Sequence, residues 1–322
     1  MKNRFASFLT LCLILLSLIG CTPMQTPPTS TPQASLTPEP ESSFRIIAYA
    51  TEAIVPEVIP YDKLTHINYS FLIPNADGTF VKITNGWKLK KIVELAHNQN
   101  VKVSIAVGGW GWDEQFEQMA ASAESRTAFV QNLKAFVDEY QLDGVDMDWE
   151  YPDPGQSSLN YVALMTELRA ALPDKLISTA VISYGDDTGL GIPTESFDLV
   201  DYVNVMTYDG HDHGTMEQFE KGLSYWSSRG VTNEKLNIGV PFYARPGPAT
   251  YAKLVETDPA SAQTDTFDYF GTIQNYNGIP TIQKKTELAM QRAGGIMFWE
   301  LSLDAQGDLS LVNAIFEVVS KK

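Results

Sequence analysis

Cysteine is scarce in this sequence. Its two cysteines, Cys12 and Cys21, both lie near the N-terminus. The chain after position 21 therefore has no disulfide cross-links and no thiolate metal sites. A folded part must be stabilised by a buried core instead, and hydrophobic residues, at 44% of the sequence, are abundant enough to build one.

Positive charge is also scarce, with 23 Lys and Arg against 39 Asp and Glu and a formal net charge of -16. A surface this acidic repels phosphate backbones, so we expect no nucleic-acid partner.

Histidine occurs four times, and the triplet His211, Asp212 and His213 superficially resembles a metal motif. No further histidine is near it in sequence, so we expect neither a bound metal nor another cofactor.

The N-terminus has the layout of an export signal. Lys2 and Arg4 precede an apolar run over residues 8–19, which is too short for a transmembrane anchor. We assign residues 1–20 to a signal peptide.

The end of that segment, Leu-Ile-Gly-Cys at residues 18–21, resembles a bacterial lipoprotein cleavage site. This resemblance predicts that Cys21 is lipidated and that the protein is an exported lipoprotein of the cell envelope, with membrane contact only through the lipid. The alternative is an ordinary cut near Gly20, which leaves Cys21 as a free thiol. Residues 21–43 are rich in Thr, Pro and Ser and predict a partly extended tether, so residues 44–322 form the folded domain.

Short β-branched runs alternate with longer segments of helical period throughout residues 44–322. The eight predicted strands begin at Arg45, Thr65, Val101, Gly144, Leu176, Tyr202, Leu236 and Gly295. Helical periodicity is clearest over residues 123–140, 161–172, 282–292 and 309–319. Eight β/α alternations indicate an α/β fold, a single (β/α)8 TIM barrel, and no glycine-rich nucleotide fingerprint supports the doubly wound alternative. The chemistry of such a barrel belongs at the C-terminal ends of its strands.

The fourth predicted strand carries three carboxyl groups. Asp146, Asp148 and Glu150 are two residues apart, so all three point to one side of a strand. Like charges in a desolvated site resist joint ionisation, and at least one should keep its proton at neutral pH. Such a group suits a hydrolase that donates a proton near pH 7. A solvated edge or a calcium loop is disfavoured, because the spacers are Val, Met and Trp instead of Gly and polar residues.

The segment DGVDMDWEYP resembles the active-site strand of family 18 glycoside hydrolases, the chitinases and related endo-N-acetylglucosaminidases, whose pattern is DxxDxDxE. The resemblance extends to VGGW at Val107, VNVMTYD at Val203, GVPFYAR at Gly239 and GGIMFWEL at Gly294. It implies hydrolysis of β-1,4 N-acetylglucosamine linkages in chitin or its oligosaccharides. It also implies a substrate-assisted, retaining mechanism, in which the sugar's 2-acetamido oxygen is the nucleophile.

The resemblance also implies roles for individual residues. Glu150 is the general acid, Asp148 orients the acetamido group, and Asp146 holds Asp148 and shares its proton. Tyr208 donates a hydrogen bond to the acetamido oxygen, and Trp299 forms an apolar floor. Further substrate-binding positions are Tyr49, Phe71, Met206, Asp209, Tyr243, Arg245, Trp110 and Asp143. For Trp299 and Tyr243 the alternative is packing within the barrel core.

Two departures from the family pattern affect these expectations. Ala106 stands where relatives have a serine that hydrogen-bonds the carboxyl corresponding to Asp146, and Ser104 is about 6 to 7 Å away along the strand. We therefore expect a weakened network around Asp146. Only residues 246–293 separate the last two strands, which excludes a full α+β insertion and predicts an open cleft and endo action.

Two other functions remain open from the sequence. One is an endo-β-N-acetylglucosaminidase that acts on N-glycans or peptidoglycan, and the other is a chitin-binding lectin without catalysis. The lectin is disfavoured because the acid, Glu150, is present. We expect a monomer whose partner is chitin or another N-acetylglucosamine oligosaccharide.

Overall fold

A computed structural model describes residues 44–247 and 249–321. Eight parallel strands close into a barrel, which confirms the predicted (β/α)8 fold. The signal peptide, Cys21 and the tether lie outside the described residues. No helix among the described residues is long and apolar enough to cross a membrane.

The strands follow the predicted order. Their bounds are β1 Arg45–Thr51, β2 His66–Leu72, β3 Lys102–Gly108, β4 Gly144–Asp148, β5 Leu176–Ile182, β6 Tyr202–Met206, β7 Leu236–Pro241, β8 Thr266–Tyr269, β9 Thr272–Asn275 and β10 Gly295–Trp299. Around the closed barrel the strands are ordered β1-β10-β7-β6-β5-β4-β3-β2. Strands β4 and β6 end at Asp148 and Met206, where the chain turns into the loops above the barrel.

The helices surround the barrel. They are α1 Gly86–His97, α2 Asp113–Ala121, α3 Ala123–Tyr140, α4 Gln156–Ala171, α5 Asp186–Gly189, α6 Met216–Ser228, α7 Tyr251–Thr257, α8 Ile279–Arg292 and α9 Leu311–Val319. Helix α3 has the bounds that its periodicity predicts. The Ser122 side chain caps its N-terminus and Gln141, in the left-handed region, ends it.

Alternation along β4 shows how the sequence divides between core and site. Val145 and Met147 point outward into the large apolar core between strands and helices. Asp146 and Asp148 point inward, where a smaller apolar group of Ile47, Tyr49, Ala106, Tyr208 and Met297 lies. The inward side chains therefore reach a mixed polar and aromatic interior at the C-terminal ends of the strands.

The connection from β7 to β10 contains more structure than its sequence predicts. It holds the short helix α7, an antiparallel hairpin of β8 and β9, and α8. The hairpin is joined to the segment after β7 by two backbone hydrogen bonds between Arg245 and Asn275. It is a small addition of two four-residue strands, as expected of a barrel without a full α+β insertion.

Candidate active site

A cavity of about 550 Å³ opens at the C-terminal ends of the barrel strands. Residues from the strand ends and the loops after them line it, as expected for a TIM barrel. They are Tyr49, Phe71, Trp110, Asp148, Glu150, Met206, Tyr208, Asp209, Gly210, Tyr243, Arg245 and Trp299. Polar and aromatic groups therefore converge in one place, which is typical of a ligand site.

Asp146 lies beneath the cavity, fully buried, with both carboxyl oxygens hydrogen-bonded. Tyr49 donates its hydroxyl to Oδ2 at 2.6 Å, while Ser178 and Asn204 donate to Oδ1 at 2.6 and 2.9 Å. Burial raises the pKa of Asp146, and these three donors oppose the rise. They reduce the cost of an ionised carboxylate at the barrel centre.

Asp148 ends β4 and is 3% exposed. Burial, followed by the negative charges of Glu150 and Asp146, holds its pKa well above the usual range. Its Oδ1 atom is buried without a hydrogen-bond partner. An unsatisfied buried polar atom is costly, so this oxygen is available to a group on a bound ligand.

Glu150 follows β4 and lines the cavity beside Asp148. Burial raises its pKa to about 7, and the negative charge of Asp209 adds to the rise. A carboxyl group with this pKa holds a proton near neutral pH and can also release it.

An aromatic wall completes the cavity. The ring of Trp299 stacks on Phe71 with centroids 5.4 Å apart and lies tilted against Tyr49 at 5.5 Å. Tyr208 is 8% exposed, with its hydroxyl 3.7 Å from the sulfur of Met297. Flat apolar faces beside polar groups suit the two sides of a sugar ring.

Asp209 and Arg245 form an ion pair at the cavity edge. Nε and Nη2 of Arg245 donate to Asp209 Oδ1 at 2.8 and 2.6 Å. Both side chains are about half exposed. The pair links the loop after β6 to the segment after β7.

Asp143 does not belong to the site, and the expectation that it binds substrate is wrong. It precedes β4, at the opposite end of the barrel from the cavity. There its carboxylate accepts hydrogen bonds from the Val103 backbone at 2.8 Å and Lys102 at 3.1 Å, and its Oδ2 lies 2.8 Å from His97 Nε2. Asp143 lies three positions before Asp146 in the chain, so the rise along the strand places the two side chains at different levels of the barrel.

The hydroxyl that Ala106 lacks is supplied by a different strand. Ala106 pairs with Asp146 on one side, and Ser178 of β5 pairs with it on the other. Ser104 pairs with Gly144, one pleat lower, and is not the substitute. The expected weakness around Asp146 is therefore absent. Ser178 and Asn204 were missed by sequence reasoning, although each is a polar residue within an apolar strand.

His213 has a structural place in the loop after β6. Its Nδ1 accepts from the Asp209 backbone N–H at 2.9 Å and its Nε2 contacts the Tyr243 carbonyl at 3.1 Å. His211 is exposed. Within residues 44–247 and 249–321, His, Cys, Asp and Glu side chains form no cluster of three that could hold a metal ion.

Known proteins are similar to this chain in sequence and in architecture. Chitinase 1 of Aphanocladium album is 25% identical over 345 residues, which cover 80% of each chain. A probable endochitinase of Caenorhabditis elegans is 30% identical over 233 residues, covering 59% of this chain and 38% of the longer relative. A crystallised chitinase from the chitin utilization locus of Flavobacterium johnsoniae has a TM-score of 0.77 and 29% identity, covering 87% of this chain and 94% of that one.

The family model for glycosyl hydrolases family 18 matches residues 45–304. That span runs from the first barrel strand to beyond the last and contains every residue that lines the cavity. The chain therefore belongs to glycosyl hydrolases family 18.

Proposed function

We propose that this protein hydrolyses β-1,4 linkages between N-acetylglucosamine units of chitin or chitooligosaccharides. The observation that carries the proposal is the pairing of Glu150, with a pKa of about 7, with buried Asp148, whose Oδ1 lacks a partner. A 2-acetamido group offers the missing partner, because its N–H can donate to that oxygen. Cellulose and starch, which lack an acetamido group, are not substrates.

The reaction needs no protein nucleophile. The acetamido carbonyl oxygen attacks C1, and the glycosidic C–O bond breaks while its oxygen takes the proton of Glu150. Asp148 aligns the acetamido group and stabilises the positive charge that develops on it. Water then gives a proton to the Glu150 carboxylate and attacks C1, which restores the acetamido group with retained configuration.

In this proposal the neighbouring residues have supporting roles. Asp146 shares the proton of Asp148, Tyr208 donates to the acetamido oxygen, and Trp299 lies under the distorted sugar. The short connection between β7 and β10 supports an open cleft and endo action on a long polymer.

Product analysis tests the proposal. The protein is incubated with chitohexaose, a high-mannose glycopeptide and purified peptidoglycan, and early products are resolved by mass spectrometry. Cleavage of internal bonds of chitohexaose supports it. Release from the glycopeptide or peptidoglycan alone, or binding of chitohexaose without cleavage, overturns it.

We further propose that the protein is exported as a lipoprotein anchored through Cys21, with a monomeric catalytic domain outside the cytoplasm. Support comes from residues 18–21 and from the Thr- and Pro-rich stretch that follows. The wild-type protein should partition with membranes and the Cys21→Ala protein should not. A Cys21→Ala protein still held tightly in the membrane fraction contradicts lipidation, and a dimer in size-exclusion chromatography contradicts the monomer.

A further inference from the structure

The loop after β6 holds an unusual backbone conformation at the edge of the cavity. Asp209 has φ of 60°, in the left-handed region that favours glycine. Its neighbour Tyr208 and its own side chain both line the cavity. Because this conformation is uncommon for a residue with a Cβ, contacts around the loop must hold it.

Gln218, in the first turn of α6, makes such contacts with both ends of the loop. Its Nε2 donates to the Asp209 carbonyl at 2.9 Å and contacts the Tyr208 carbonyl at 3.3 Å. Its Oε1 accepts from the Gly214 N–H at 2.9 Å. The side chain is 2% exposed, so water does not compete for these bonds.

Lys285 of α8 holds the other side of Gly214. Its Nζ donates to the Gly214 carbonyl at 2.6 Å and to Asn277 Oδ1 at 2.8 Å, and Asn277 Nδ2 donates to the same carbonyl at 2.7 Å. Both Lys285 acceptors are neutral oxygens, and the lysine is fully buried. Burial lowers its pKa to about 7. Burying an ammonium group here lowers the stability of the fold. Its hydrogen bond to the Gly214 carbonyl fixes that end of the loop.

We infer that Gln218 is a positioning residue for the hydrolysis: its amide fixes the backbone of Tyr208 and Asp209 in register with Glu150, and Lys285 anchors the same loop at Gly214. This inference rests on the proposed function. Gln218 is not among the residues that line the cavity, so it acts through Tyr208 and Asp209, whose carbonyls it holds.

The charge around Glu150 provides a readout that a purely structural role would not move. Four side chains face Glu150: Asp148 at the end of β4, Tyr151 next to Glu150 in the chain, and Tyr208 and Asp209 after β6. Arg245 pairs with Asp209. The negative charge of Asp209 raises the pKa of Glu150. If Asp209 moves away, that pKa falls, and the alkaline limb of the pH profile moves to lower pH.

Two variants of the full chain test the inference on chitohexaose. Gln218→Met keeps the length but removes all three hydrogen bonds. Gln218→Glu keeps the acceptor for Gly214 but, when ionised, repels the two carbonyls. Each should lower kcat by about tenfold to 100-fold, the usual effect of a small misplacement of reacting groups. KM should change less, and the alkaline limb should move to lower pH. Acidification should restore part of the Gln218→Glu activity, because a protonated carboxyl can donate.

Ser310→Ala is the matched control, since it removes a buried side-chain bond to Asp304 at the start of α9, away from the cavity. It should lower the Tm and leave kcat, KM and the pH profile unchanged. Gln218 variants that lose Tm in the same way but keep wild-type kinetics overturn the inference. If Gln218→Met does not fold, the test uses the pH profile of Gln218→Glu and the recovery of its activity in acid. A wild-type protein inactive on chitohexaose overturns the proposed function instead, which separates the two failures.

Discussion

The Ser178 hydroxyl lies 2.6 Å from Asp146 Oδ1, across two neighbouring strands of the barrel. It donates a hydrogen bond to the carboxylate. Ala106, which pairs with Asp146 from the other neighbouring strand, has no hydroxyl to donate. Asp146 thereby receives three donors, from β1, β5 and β6. In the proposed mechanism, in which Asp146 and Asp148 share a proton, the position of that proton depends on this set of bonds.

Removing the serine hydroxyl should therefore destabilise the fold. Ser178→Ala leaves one lone pair of a buried carboxylate without a donor, at a cost of about 1–3 kcal/mol. It should also raise the pKa of Asp146 further, since the Ser178 bond lowers it. Urea denaturation at pH 7 measures the loss. An unfolding free energy equal to that of the wild type would show that Tyr49 and Asn204 suffice.

Glu150→Gln should abolish turnover and preserve binding. The amide is nearly the size of the carboxyl but carries no proton that it can transfer, so kcat should fall by about 100-fold to 10,000-fold. Reducing-end assays measure turnover, and calorimetry with chitohexaose measures binding. Hydrolysis at the wild-type rate excludes Glu150 as the acid.

The activity of the wild type should decline on the alkaline side of about pH 7, because the pKa of Glu150 is about 7 and only its protonated form is the acid. Asp209→Asn removes a negative charge that raises this pKa. The alkaline limb of kcat/KM should therefore move to lower pH in that variant. A limb that stays in place means that the charge of Asp209 does not contribute to the pKa of Glu150.

The same carboxyl group should make stability depend on pH. Its pKa is raised from 4.5 to about 7 on folding, so the folded chain keeps a proton that the unfolded chain loses between those values. The stabilisation is complete below about pH 4.5 and is lost as the pH rises to about 7. Glu150→Gln does not ionise, so its Tm relative to the wild type should increase between pH 5 and pH 8. A constant difference across that range contradicts a raised pKa.

Trp110 is 78% exposed at the cavity wall. Trp110→Ala should raise KM for chitohexaose by roughly three- to tenfold, since aromatic contacts are worth about 0.5–1.5 kcal/mol. The Tm should stay unchanged because little apolar area is buried. Trp87→Ala is the matched control, since Trp87 is 65% exposed and does not line the cavity. Equal effects of the two substitutions would remove Trp110 from the binding surface.

Local sequence patterns predict most of the fold. The eight strands and helix α3 follow from alternation and from apolar residues at helical spacing, which depend on neighbours in sequence. The β8 and β9 hairpin was missed because its strands are short and its turn, Phe270-Gly271, places a bulky residue at φ of 53° where Asn or Asp is usual. Propensity does not anticipate such a turn.

The sequence by itself determined that the fold is a barrel and that Asp146 and Asp148 point inward, because spacing along one strand is a local property. The family resemblance, which also depends on local spacing, placed Glu150 just beyond them. Tertiary structure alone decided which side chains reach them. Register across β4, β5 and β6 brings Ser178 and Asn204 to Asp146, and it leaves Asp143 at the opposite end of the barrel. Packing also decided that Gln218 and Lys285 hold the loop of Asp209. Contacts between distant segments depend on barrel closure, which no single stretch of sequence encodes.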